Sequence, residues 1–261
     1  MPRIDTLEDQ MEEMSIPGPG TFKFSAIKPD VLAEEGASEY TLVTICIDRS
    51  GSVRSFKGDL LDCIKAIVKA CLKSERSENL MLRVLTFSND LEEVHGFKEL
   101  HTIDPSTYDD FNPYGGTALY DSAYSGIGAS ITYAETLINN GFNVNGAVYI
   151  VTDGVDNSST RDAKHIKELT DEALRGEKIE SLISILIGLK DPNEKDTYWK
   201  NEVTKRLDEF KDEGGLTEYL EVGEVTPQKL AKLAEFVSQS VSSQSNAITT
   251  GAPSNPIPVT F

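Results

Sequence analysis

Apolar positions along the chain follow two alternating rhythms. Short, nearly continuous apolar runs at 42–47, 80–87 (LMLRVLTF), 147–152 (AVYIVT), 182–187 (LISILI) and 219–222 predict strands, the central ones covered on both faces. A further short strand is expected near 92–95. Between these runs the apolar spacing changes to three and four residues. Leu60, Ile64, Ile67, Val68, Cys71 and Leu72 share one face of a helix over about 56–75. Helices are likewise expected over about 118–138, over 162–174, along the stripe Trp199, Val203, Leu207 and Phe210, and over 227–241, with a proline in the first turn of the last. This alternation predicts an α/β fold, a doubly wound, mostly parallel sheet flanked by helices on both faces.

The ends read differently. Ile4, Leu7, Met11 and Met14 are spaced three, four and three apart, which predicts a short helix closed by Pro17-Gly18-Pro19-Gly20. Such a helix either packs on its own domain or binds a partner. From 244 onward the chain (QSNAITTGAPSNPIPVTF) is rich in Ser, Thr, Asn and Pro and reads as an extended tail. The expected division is an N-terminal arm over 1–36, a domain over 37–243 and a tail over 244–261.

Charge narrows the function classes. Among 261 residues, 43 Asp and Glu face 25 Lys and Arg, a net charge of −18. Nucleic-acid binding needs clustered cations, so it is not expected, and neither is attachment to an anionic membrane surface. No apolar run approaches the roughly 20 residues of a transmembrane helix. The acidic start, MPRIDTLEDQMEEM, lacks the apolar stretch of a signal peptide. Cys46, Cys63 and Cys71 fall within apolar patterns and do not form a disulfide framework, so the expected location is cytoplasmic.

Sheets of this kind place their sites in loops at the carboxyl ends of the strands. Three such loops are unusual. Asp48-Arg49-Ser50-Gly51-Ser52 leaves the first buried strand, Gly115-Gly116-Thr117 precedes the long helix, and Asp153-Gly154 leaves the IVT run, followed by Asp156 and Asn157. Each alone is ordinary turn or helix-cap chemistry, and Thr117 is itself a good N-cap. Together they offer two carboxylates and three hydroxyls, the oxygen donors a hard cation such as Mg²⁺ prefers.

Asp48-x-Ser50-x-Ser52, Thr117 within GGTALYDS and Asp153 within IVTDG resemble the von Willebrand factor A (vWA) domain and its metal-ion-dependent adhesion site, MIDAS. The resemblance spans roughly 40–242. It implies a Rossmann-like fold with Mg²⁺ or Mn²⁺ at the top of the sheet. Ser50, Ser52 and Thr117 would ligate directly or through water, Asp48 and Asp153 mainly through water. The open coordination position would accept an Asp or Glu from a partner protein.

The implied role is an intracellular protein-interaction module within a multi-protein assembly. The alternative is a scaffold docking through its terminal arms, with the metal site only stabilising the fold. Arg49 either raises the potential at the rim or is solvated, and Tyr114 and Tyr120 are rim contacts or core. Asp156 orients a ligand water or simply turns the chain. His95, His101 and His165 are too scattered to be ligands. An enzyme is not expected: the chain has no G-x-x-x-x-G-K-[ST] loop, no second Asp in Asp48-Arg49-Ser50, and no Ser–His or Cys–His pairing. Nor is a small-molecule substrate.

Overall fold

Runs too apolar to leave a face in water must be covered on both sides, and the chain satisfies this with one sheet between two helical layers. The computed structural model describes residues 9–18, 22–74, 76–109 and 111–250, without the side chains of 35 and 247–250. Eight strands lie in the order β1-β2-β5-β4-β3-β6-β7-β8. They are β1 (Met11–Ser15), β2 (Lys23–Ile27), β3 (Glu39–Asp48), β4 (Leu80–Phe87), β5 (Leu91–Glu99), β6 (Asn143–Thr152), β7 (Ser181–Lys190) and β8 (Glu218–Glu224). The run β4-β3-β6-β7-β8 is parallel, while β5 turns back antiparallel on β4.

The helices are α1 (Pro29–Glu35), α2 (Lys57–Cys71), α3 (Leu119–Asn139), α4 (Ala163–Arg175), α5 (Thr197–Gly214) and α6 (Pro227–Thr250). Along β3, Leu42 and Cys46 point into the core shared with α3, α4 and α5, and Val43, Ile45 and Ile47 into the core shared with α2 and α6. This alternation is the two-residue period of a strand. On α2, Leu60, Ile64, Ile67 and Val68 are all buried, each worth about 1.5–3 kcal/mol relative to exposure. Long α3 lies close on the sheet because it carries small residues: a Cβ at Gly126 would sit 2.7 Å from Cys46 Sγ. The fold is thus the α/β arrangement that the central pattern predicts, a doubly wound, mostly parallel sheet flanked by helices on both faces.

The ends depart from expectation. Met11 and Met14 lie in a strand, not a helix, because β1 pairs antiparallel with β2 over Met11–Ser15. Ile4 and Leu7 lie outside the described residues. β2 then meets β5 through the pair Ala26–Phe97, and the Ser25 N–H and hydroxyl both donate to Glu93 on β5, so residues expected to form an arm extend the sheet. At the other end α6 passes 244, where a tail was expected, and continues to Thr250 with Gln244 and Ser245 buried. Asn145 on β6 donates to the Gln244 carbonyl at 3.1 Å, tying this stretch to the sheet.

Strand order creates the site. From β3 the chain moves outward through β4 and β5, then α3 carries it back to place β6 on the other side of β3. The helices that follow the two neighbours, α2 and α4, pack on opposite faces of the sheet. A crevice therefore opens between the carboxyl ends of β3 and β6, at the topological switch point. No described helix is long and apolar enough to cross a membrane.

Candidate metal centre

Asp48 ends β3 and is fully buried. Its two oxygens accept from the Ser50 N–H at 2.7 Å and from Thr152 Oγ1, on β6, at 2.6 Å. These bonds hold the carboxylate in the crevice. Ser50 Oγ lies 2.9 Å from Ser52 Oγ, and Ser52 Oγ donates to Asp153 Oδ1 at 2.7 Å. Thr117 is buried beside them, its Oγ1 only 3.6 Å from where a Cβ on Gly154 would stand. All five residues singled out in the sequence, Asp48, Ser50, Ser52, Thr117 and Asp153, thus line one crevice.

Thr117 does not cap the helix, as its position in sequence suggested. Ala118 is the N-cap of α3 and has no side-chain bond to offer. The orphan amides at the helix start are instead met from the loop after β6. Asn157 Oδ1 accepts from Thr117 N at 2.7 Å, Asp156 Oδ1 from Tyr120 N at 3.3 Å and Ser159 Oγ from Asp121 N at 3.0 Å. Capping from across the crevice leaves the Thr117 hydroxyl out of the helix end and gives Asp156 a definite part in the helix start.

A residue absent from the sequence reading completes the frame. Asn89, in the turn after β4, accepts from the Gly116 N–H at 2.6 Å and from Ser158 Oγ at 3.2 Å. Gly51 N donates to the Gly115 carbonyl at 3.2 Å, and Ala118 N to the Ser88 carbonyl at 2.6 Å. Gly115 has a φ of +70°, the left-handed region that favours glycine. The only sequence signal for Asn89 is its place in Ser88-Asn89-Asp90 at a strand's carboxyl end.

The electrostatics are unbalanced. Burial pushes the Asp48 carboxyl up to about 6. Burial, and then the Asp48 charge, push Asp153 to about 7. Among the described residues neither carboxylate forms an ion pair. Arg49, the nearest base in sequence, is neither solvated nor directed at the crevice. It is buried, 3.1 Å from both Asp90 and Glu92, with its guanidinium 4.8 Å from the Tyr114 ring centroid. Tyr114 is a partly exposed rim residue whose hydroxyl donates to Asp90, whereas Tyr120 packs on Phe210 with centroids 4.6 Å apart.

The donor set is all oxygen, which suits a hard cation such as Mg²⁺ or Mn²⁺. No described group of three His, Cys, Asp or Glu side chains is gathered to hold a metal, so a cation here depends on the hydroxyls. His95 is held elsewhere, between the Tyr108 hydroxyl at 2.8 Å and the Gly96 carbonyl at 2.9 Å, and His165 closes the capping box of α4 with Asp162.

No protein-family model matches the chain. No curated protein matches it. Among solved structures, the PilB minor pilin from Streptococcus sanguinis superposes with a TM-score of 0.55 at 16% identity, over 84% of this chain and 64% of that one. The pilus adhesin SpaC from Lactobacillus rhamnosus GG, in its open conformation, gives 0.52 at 11% identity, over 80% of this chain and 30% of that one. The chain therefore spans less than two thirds of either structure. At these identities the likeness is one of fold.

Proposed function

We propose that the chain is a protein-interaction module that binds a carboxylate of its partner through a divalent cation, Mg²⁺ or Mn²⁺. The cation would be held by Asp48, Ser50, Ser52, Thr117 and Asp153. One observation carries this reading: a buried carboxylate, Asp48, and a half-buried one, Asp153, meet among three hydroxyls at the switch point of the sheet, and among the described residues neither has an ion-pair partner, the nearby Lys190 and Lys200 being paired with Glu221 and Glu224. Two like charges held this close and largely shielded from water are costly unless a cation neutralises them. When bound, the cation would supply a Lewis-acidic position for an incoming Asp or Glu. Its hydroxyl ligands carry no charge, which leaves it attractive to that anion.

The chain's own residues do the positioning. Thr152 and the Ser50 amide orient Asp48, while Asn89 and Asn157 hold the 115–117 loop so that Thr117 faces the crevice. We read the centre as binding rather than catalytic. Metal-dependent turnover of a phosphoester or peptide by the purified chain, lost in Asp48→Ala, would reverse that. We assign the protein to a reducing compartment, the cytoplasm, because its three cysteines are buried and unpaired. The terminal-scaffold alternative would have to dock through β1 and β2 as a sheet edge rather than as a free arm.

The test is affinity capture from native lysate with wild type and Thr117→Ala, each in Mg²⁺ and in EDTA. The proposal expects a partner retained only by wild type in Mg²⁺. A partner held equally under all four conditions would remove the metal bridge.

A further inference from the structure

The crevice has an unusual neighbour. Trp199, the chain's single tryptophan, was expected in a buried stripe but is 47% exposed, and Tyr198 beside it is 77% exposed. Both sit in the first turn of α5, where Asp196 Oδ1 accepts from their backbone amides at 2.9 and 3.1 Å. The indole is thus presented by a capped helix start rather than a loose loop.

Trp199 borders two hollows. One opens on Ser52 and Asp153 of the proposed centre and is also lined by Lys190 and Lys200, each already paired with a glutamate, and by Asp191 and Glu194. The other, about 350 Å³, runs along α5 beside the start of α3 and the loop after β6. Buried Leu207 and Phe210 give the second hollow an apolar floor, and Asp156, Glu202, Glu209 and Glu213 line it with carboxylates. Its one base, Arg206, already donates to Glu202 at 2.8 Å. An apolar floor, an exposed indole and surplus negative charge match one kind of side chain, a long aliphatic stem ending in a cation. An anion would be repelled there, and a purely apolar plug would desolvate the carboxylates without return.

We propose that this groove takes a Lys or Arg from the same partner segment whose Asp or Glu reaches the cation. The partner is then a peptide segment carrying an acid and, past Trp199, a base. The inference rests on the metal-centre reading and specifies the partner's chemistry. It also fits the net charge of −18, since a base next to the coordinating acid lets that segment approach a strongly acidic protein.

The test uses the full chain in Mg²⁺ and capped peptides carrying one Asp and one Arg at varied separation. Companion peptides replace Arg by uncharged citrulline. Binding is read from Trp199 fluorescence. At the separation that fits, the Arg peptide should bind about tenfold tighter than its citrulline twin. That preference should vanish in Glu209→Gln/Glu213→Gln, a pair of exposed positions.

Equal binding of the twins, a preference unchanged in the double variant, or no binding at any separation would each overturn the proposal. Self-association of the chain through Trp199, seen by sedimentation and abolished by Trp199→Ala, would give the groove to a second copy and overturn it too. EDTA and Thr117→Ala separate the two readings. If the Arg preference persists undiminished under both, the groove stands and the metal bridge falls.

Discussion

Withdrawing the cation from the proposed centre would leave Asp48 and Asp153 without an ion-pair partner among the described residues, and this has a measurable pH signature. Both groups titrate higher in the folded, metal-free chain than the 3.8 of an ordinary Asp, near 6 and near 7. Between those limits the native state binds more protons than the unfolded state, so stability must fall as pH rises. The two carboxyls titrate as a pair, so the stability lost as they ionise, on the order of a few kcal/mol, belongs to both together. Mg²⁺ at a hundred times its dissociation constant returns about 2.7 kcal/mol, and only where the carboxylates are ionised. For a chain of this size that is roughly 5–10 °C in Tm.

The assay is thermal unfolding by circular dichroism from about pH 5 to about pH 8, in EDTA and in Mg²⁺. In EDTA the Tm should decline across this range, the two carboxyls together outweighing the opposite slope of His95 below about pH 6.5. In Mg²⁺ the decline should flatten, so that the curves separate with rising pH. Asp153→Asn, which leaves a single carboxyl in the crevice, should make the slope shallower. Superimposed curves, or a metal-free Tm that climbs through the window, would refute the reasoning.

Other perturbations address the frame. A Cβ at Gly116 would meet Asn157 Oδ1 at 2.3 Å and Ser158 Oγ at 2.4 Å, so Gly116→Ala should displace the acceptor of the Thr117 amide. It should cost about 1–3 kcal/mol in urea unfolding and weaken cation binding as well. Gly96→Ala would drive a Cβ to within 1.9 Å of the Ser25 carbonyl oxygen, a backbone clash. It should detach β1 and β2, seen as faster proteolysis near 9–27, while the metal centre keeps its affinity. His95 is depressed to about 4, chiefly by burial, so the unfolded chain takes up its proton first as pH falls below about 6.5. Its contribution, at most about 3 kcal/mol, should be lost as pH falls from about 6.5 towards about 4, and His95→Gln should flatten that part of the stability profile.

The middle of the fold was legible because its physics is local. Strands β3, β4, β6 and β7 are apolar on both faces, and the helices between them announce their buried stripes. The ends were not. Met11 and Met14 keep helical spacing, yet the open edge beside β5 recruits them through β2, and pairing overrides periodicity. The stretch from 244, rich in Ser, Thr, Asn and Pro, reads as a tail, yet α6 runs on to Thr250 and Asn145 donates to the Gln244 carbonyl.

The candidate centre shows the same division. Its five oxygen donors stand in recognisable motifs next to strands, so their convergence followed from the topology. Asn89, the cross-crevice capping by Asn157 and the burial of Arg49 under Tyr114 depend on loops meeting from distant parts of the chain. No spacing within a single loop encodes those contacts. Trp199 was misplaced for a related reason: its helical phase matches Val203 and Leu207, but the first turn of α5 extends beyond the core.

The central claim is that five oxygen-bearing side chains hold a single divalent ion. Its most direct test is titration of the purified chain with Mn²⁺, counting bound ions by electron paramagnetic resonance in wild type, Asp48→Ala and Thr117→Ala. The account predicts a single saturable site in wild type, displaced by Mg²⁺, abolished by the first substitution and weakened by the second. Unsaturable binding, or a site of equal affinity in all three proteins, would contradict it.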